Sequence, residues 1–238
     1  NVALLEVLEA IRLEGGRPRV VLASSRLVYG KPAVLPVDEN HPLAPESIYA
    51  AHKLCCEHYL RAYAAQGLLS YTIARISNAY GPDAQWTTRP HGMVNAFVRQ
   101  AVAGTPIQLF GDGNQLRDLI YVADLADVLI ACGEMPAASD LVLNVGTGVG
   151  VSLREMAERV VALAGGPAVE FVPWPPDFAM VETGDYVTNP GRLHRILGVL
   201  PRWTIQQGLE ATLASCRAAV TGGGAAVVAA TDIGHSPA

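Results

Sequence analysis

Val20-Val21-Leu22-Ala23-Ser24-Ser25-Arg26-Leu27-Val28-Tyr29-Gly30 and, after a proline-rich loop, Ser47-Ile48-Tyr49-Ala50-Ala51-His52-Lys53 decide how the rest of this chain is read. The first stretch opens as a short apolar run, the pattern of a strand buried on both faces, and passes through two serines. The second has helical periodicity, so Tyr49 and Lys53 project from one face, one turn apart. A hydroxyl at a strand end, a tyrosine and a lysine are the groups needed to take a proton from an alcohol as a hydride leaves. A tyrosine hydroxyl is a weak base at neutral pH, and a neighbouring ammonium favours its ionised form. Tyr-xxx-Lys alone is a weak motif and often only a surface pair. It carries more weight here because Lys31 and Lys53 are the only lysines among 17 basic residues.

Outward from this pair, residues 2–14 form an amphipathic pattern stopped by Gly15-Gly16, which predicts a helix. Ser47 is placed to cap a helix over 47–65, and Ser70–Ile76 reads as a second strand running into the turn-rich Ser77-Asn78-Ala79-Tyr80-Gly81-Pro82. Strand, helix and strand in this order predict a doubly wound parallel sheet, whose ligands bind beyond the carboxyl ends of the strands. Ser24, Ser25, Asn78 and Tyr80 fall there. Further on, a helix over 93–103 and a strand over 107–110 precede Gly111-Asp112-Gly113-Asn114-Gln115-Leu116-Arg117-Asp118. A strand over 119–122, a helix over 124–132 and a strand over 141–145 follow. Ser152 and Glu155 predict a capping box for a helix over 152–164. A strand over 169–172 and helices over 192–198 and 205–220 complete the pattern.

The ordered set Ser-Ser-x-x-Val-Tyr-Gly, Tyr-xxx-Lys, Arg75-x-x-Asn78 and GDGxQxRDxxYVxDL resembles the extended short-chain dehydrogenase/reductases, most of all nucleotide-sugar epimerases of the UDP-glucose 4-epimerase type. The resemblance covers residues 1 to about 215. It implies an α/β chain: the second half of a Rossmann-like doubly wound parallel sheet, with a smaller α/β substrate-binding domain. The expected division is 1–88 with 119–150 in the NAD(P)-binding part, 89–118 and 151–220 in the substrate part, and a flexible tail over 221–238. It further implies Ser25, Tyr49 and Lys53 as catalytic residues, with Ser25 also touching the sugar. Asn1, Ser24, Tyr49, Lys53, Ile76 and Ser77 would meet the cofactor, and Asn78 and Arg117 the substrate phosphates. The expected cofactor is NAD, with NADP as the alternative. C4 epimerisation of a UDP- or dTDP-hexose through a 4-keto intermediate is the implied activity. A keto-sugar reductase or dehydrogenase, and a non-catalytic binding protein of this fold, are the alternatives.

Simpler readings stand beside these. Ser24 is a small polar residue at a strand end, Asn78 a turn former, and Arg117 a partner for the adjacent Asp118. Gly146-Thr147-Gly148-Val149-Gly150 does not fit GxGxxG and reads as a structural turn. No Gly-rich turn followed by an acidic residue is present, so the sequence is read as a piece of a longer protein. Arg26 and Leu27 follow Ser25 where sugar dehydratases of similar fold carry Asp-Glu, and neither can do acid/base work. Dehydration and decarboxylation are therefore disfavoured. Half of the chain is apolar, 16% is charged, and the net charge is −5, which gives no reason to expect nucleic acid or a membrane as partner. Cys55, Cys56, Cys132 and Cys216 lack metal-ligand spacing, no metal is assigned, and reduced thiols in the cytoplasm are expected. A homodimer is expected by resemblance, through the helices bearing Leu5/Leu8 and Cys55/Tyr59.

Overall fold

Strand β2 (Ser70–Ile76) lies between β1 (Arg19–Ser25) and β6 (Leu141–Val145), parallel to both. The structure, a computed structural model, describes residues 2–82, 86, 92–176, 182–199 and 201–222. Along β2, Ile73 turns to one side and Ala74 to the other, as the period of a strand requires. Ile73 meets α1 (Val2–Glu14) and α2 (Ile48–Ala65) in a cluster with Leu8, Leu60 and Leu69. Ala74 meets α4 (Val122–Glu134) and α6 (Gly191–Leu197) in a cluster with Val128, Cys132, Leu143, Val145 and Leu193. Helices on both faces explain why these strands read as continuous apolar runs. The expected doubly wound parallel sheet is what the chain builds.

A second core forms beyond the carboxyl end of β2. The short β3 (Asn78–Tyr80) pairs in parallel with β5 (Leu116–Tyr121), which pairs antiparallel with β7 (Gly150–Ser152). Helices α3 (Met93–Val102), α5 (Leu153–Ala164) and α7 (Ile205–Gly222) close over them, burying Phe97, Val98, Leu119, Met156, Val160 and Leu213. A two-stranded parallel sheet of β4 (Gln108–Phe110) and β8 (Glu170–Val172) borders this core.

Several local expectations change. Asn78–Tyr80 is a strand rather than a turn; three residues are too few to show a period. Strand β5 begins at Leu116, before the expected residue 119, because Arg117 and Asp118 are buried within it. Ser152 caps α5 by accepting from Glu155 N at 3.1 Å, but the Glu155 carboxylate turns to Arg159 at 2.7 Å. Only half of the capping box forms. Leu8 is fully buried against Leu60, so the outward side of α1 is carried instead by residues such as Val7. Asn1 and the tail beyond Gly222 lie outside the described residues.

The sheet and α2 are joined by buried charges. The Glu57 carboxylate accepts from Arg75 Nε at 3.0 Å and from Arg75 Nη2 at 2.7 Å. Ser24 Oγ donates to Glu57 Oε1 at 2.7 Å. Arg75 Nη1 donates to the Tyr29 hydroxyl, which donates to Asn144 Oδ1 at 2.6 Å. Burial alone would lower the basicity of Arg75, yet its bonds to Glu57 leave it raised. Breaking such a pair leaves a charge uncompensated in the interior. Glu57→Gln is therefore expected to lower the unfolding free energy by about 3–5 kcal/mol, read from urea denaturation.

Candidate active site

The first turns of α2 lie against the carboxyl end of β1. Ser47 starts the helix by accepting from Ala50 N at 3.1 Å, which sets the rotation of the residues after it. Lys53 Nζ donates to the carbonyl of Ala23 at 2.8 Å and lies 5.5 Å from the centre of the Tyr49 ring. Tyr49 remains 40% exposed, open to an incoming molecule. Among the described residues one carbonyl takes one of the three ammonium donors, which leaves two. Ser25 Oγ accepts from Leu27 N at 3.2 Å and caps the tight turn over Arg26–Tyr29. That bond uses the oxygen as acceptor and leaves the hydroxyl proton to donate. Ser24, one residue earlier, points the other way, and its proton is committed to Glu57.

The register of the sheet places Ser25 beside Ile76, and Ile76 beside Val145. Ser77 and Asn78 then continue past the sheet end. Asn78 Oδ1 accepts from Arg26 Nε at 3.1 Å, and Arg26 Nη1 donates to Thr183 Oγ1 at 2.9 Å. The Arg26 guanidinium also stands 5.0 Å over the buried Tyr186 ring. Arg117 meets Glu182 at 2.6 Å and donates to the carbonyls of Leu116 and Gly184. Its expected alternative partner, Asp118, faces away, as strand alternation demands. Asp118 accepts instead from Thr147 N, Thr147 Oγ1, Gly148 N and Thr188 N, at 2.8 to 3.0 Å.

Serine, tyrosine and lysine thus sit at the carboxyl end of a doubly wound sheet, with two arginines further along the same side. The profile of the NAD dependent epimerase/dehydratase family matches residues 2–146. The chain belongs to this family. It is 33% identical over 218 residues to a UDP-glucose 4-epimerase of Mycolicibacterium smegmatis, covering 89% of this chain and 66% of the relative. A UDP-glucose 4-epimerase of Thermus thermophilus, solved in complex with NAD, is 33% identical with a TM-score of 0.79, covering 91% of this chain and 69% of that one. The Thermotoga maritima UDP-glucose 4-epimerase, solved with UDP-glucose, is 25% identical with a TM-score of 0.80, covering 91% and 68%. The chain spans about half to two thirds of the length of the curated relatives it matches.

Residues present here fit the nicotinamide end of the family's cofactor. Lys53 has donors to spare, and Ser77 Oγ is buried with no partner among the described residues. The glycine-rich Gly146–Gly150 turn belongs to Asp118: a Cβ on Gly146 would lie 2.3 Å from Thr188 Oγ1 and 2.7 Å from Asp118 Oδ2. Among the site residues, sequence reasoning missed Arg26. The available signal was a lone basic residue immediately after Ser25, in an otherwise apolar stretch. It is 7% exposed, and burial, with the nearby Arg117 charge, pushes its basicity down to about 10. An amide in place of Asp118 cannot accept from four donors. Asp118→Asn should therefore cost about 2 kcal/mol in urea unfolding, by leaving buried N–H groups unmatched.

Proposed function

We propose that this chain carries the catalytic residues of an NAD-dependent nucleotide-sugar 4-epimerase. The observation that carries the reading is the tether of Lys53 to the Ala23 carbonyl, which holds an exposed Tyr49 beside the serine-bearing strand end. In this reading the Tyr49 oxygen takes the proton of the sugar C4 hydroxyl, with the Lys53 ammonium 5.5 Å from the centre of its ring. Ser25 donates its free proton to the same sugar oxygen. Bound NAD supplies the reversible hydride acceptor that makes the C4 centre planar. The reading assigns Asn78 and Arg117 to the diphosphate of a UDP- or dTDP-hexose, a group that a planar guanidinium suits. Residues 1–88 with 119–150 then serve the cofactor, and 89–118 with 151–220 the sugar nucleotide.

The same reading implies a cytoplasmic homodimer. Support comes from the outward sides of α1 and α2, where Val2, Val7 and Cys55 are exposed. Among the described residues no helix is long and apolar enough to cross a membrane.

The test uses the full-length protein with UDP- and dTDP-hexoses, following sugar stereochemistry by NMR together with absorbance at the reduced nicotinamide band. Epimer without net change in reduced cofactor is expected, whereas stoichiometric cofactor turnover without epimer would replace this reading with a ketoreductase. Tyr49→Phe should lower kcat at least about 100-fold, the usual weight of a general acid/base. Its affinity for UDP should stay within about twofold, because the ring that packs there is unchanged.

A further inference from the structure

Arg26 is a buried cation treated unlike the others at this site. Arg75 is paired with Glu57 and Arg117 with Glu182. The two hydrogen bonds of Arg26 run to neutral oxygens, Asn78 Oδ1 and Thr183 Oγ1, and the face of its guanidinium meets the Tyr186 ring. Among the described residues it forms no ion pair. The acidic group that favours its charge, Glu182, is already bonded by Arg117, so two guanidiniums share one carboxylate. A dehydrated cation that shares its counter-charge with a second guanidinium is costly to keep. Bracing the segment around Thr183 against β3 would need only a neutral donor. A guanidinium has five N–H donors, and the described residues take two, which leaves three.

Its place is as informative as its charge. Arg26 follows Ser25 directly, its Nε holds the carboxamide oxygen of Asn78, and its neighbour across the site is Arg117. These are the residues that the epimerase reading assigns to the reacting sugar oxygen and to the diphosphate. We propose that Arg26 receives an anionic oxygen group of the nucleotide sugar, either the diphosphate or a carboxylate borne by the hexose; this rests on the reading given above. Asn78 then acts as the group that presents the guanidinium, by fixing its plane through Nε. The ligand brings the counter-charge that the shared Glu182 supplies only in part.

Titration calorimetry on the full-length protein, wild type and Arg26→Gln, with UDP, UDP-glucose and UDP-glucuronate, tests this. Glutamine keeps a donor for one oxygen and removes the charge, and thermal unfolding checks that the variant is folded. If the anion is the diphosphate, all three ligands should weaken about tenfold or more, the usual loss for a charge-assisted bond. If it is a sugar carboxylate, only UDP-glucuronate should weaken, with UDP and UDP-glucose unchanged. Binding of all three within about twofold of wild type in a folded variant would overturn the proposal and leave the epimerase reading standing. The corresponding dTDP ligands are read in the same way, and wild-type protein that binds neither series would overturn that reading, and this proposal with it. Should the glutamine chain not fold, Arg26→Lys decides. It keeps the charge and loses the planar fork, so weakened binding of one or more ligands by the folded variant supports an anion site at Arg26, and binding of all three within about twofold of wild type overturns it.

Discussion

The buried pair of Glu57 with Arg75 is the constraint on which the site geometry rests. Tyr49, Lys53 and Glu57 follow at four-residue intervals, and therefore lie on one ridge of α2. Glu57 has a single stable place, in the plane of the Arg75 guanidinium, because a carboxylate inside the protein must be met by charge and hydrogen bonds. Once Glu57 is placed, the rotation of α2 is fixed, and Lys53 falls beside the Ala23 carbonyl with Tyr49 one turn further out. Ser24 adds a bond from the strand to the same carboxylate. Tyr29 and Asn144 carry the network to the neighbouring strand, where Asn144 also reaches the Val37 carbonyl and Glu39. A helix held only by apolar contacts could slide or rotate at small cost; a helix held by a two-pronged ion pair cannot.

A second device divides the labour of neighbouring residues across the faces of β5. Arg117 and Asp118 are adjacent in sequence and opposite in charge, yet they do not neutralise each other. Alternation sends Asp118 to the 146–148 turn and to Thr188, so that one carboxylate anchors two segments distant in sequence. Arg117 goes to the other side, with Glu182 and the Gly184 carbonyl. The segment after residue 182 is thereby pinned from both faces of a single strand. Arg26 reaches the same segment from the sheet, through Thr183, and joins the strand end that carries Ser25 to the wall that carries Arg117. Three buried arginines thus differ in their surroundings: Arg75 is paired with Glu57, Arg117 with Glu182, and Arg26 is bonded to neutral partners.

Much of this was legible in the residues. The apolar runs of β1 and β2, the serine caps at Ser47 and Ser152, and the order of strand and helix require only local physics, and the chain builds them as read. The spacing of Tyr49 and Lys53 also places them together without any tertiary information. Less visible was a strand whose buried positions are polar. Arg117 and Asp118 look like surface residues in sequence, and only their partners at Glu182 and around residues 147–148 make their burial tolerable. Leu8 shows the reverse case, since an amphipathic helix does not say which neighbour will cover its apolar side, and Leu60 and Ile73 do.

By itself, then, the sequence determined the sheet, the helix that carries Tyr49 and Lys53, and the family whose motifs run in this order. These follow from hydrophobic period, capping and spacing, which act over a few residues at a time. Tertiary structure alone decided which charges meet: Glu57 with Arg75, Arg117 with Glu182 rather than Asp118, and Arg26 with no carboxylate among the described residues. Charge pairing depends on distance in space and on exclusion of water, and neither is a property of neighbouring positions along the chain.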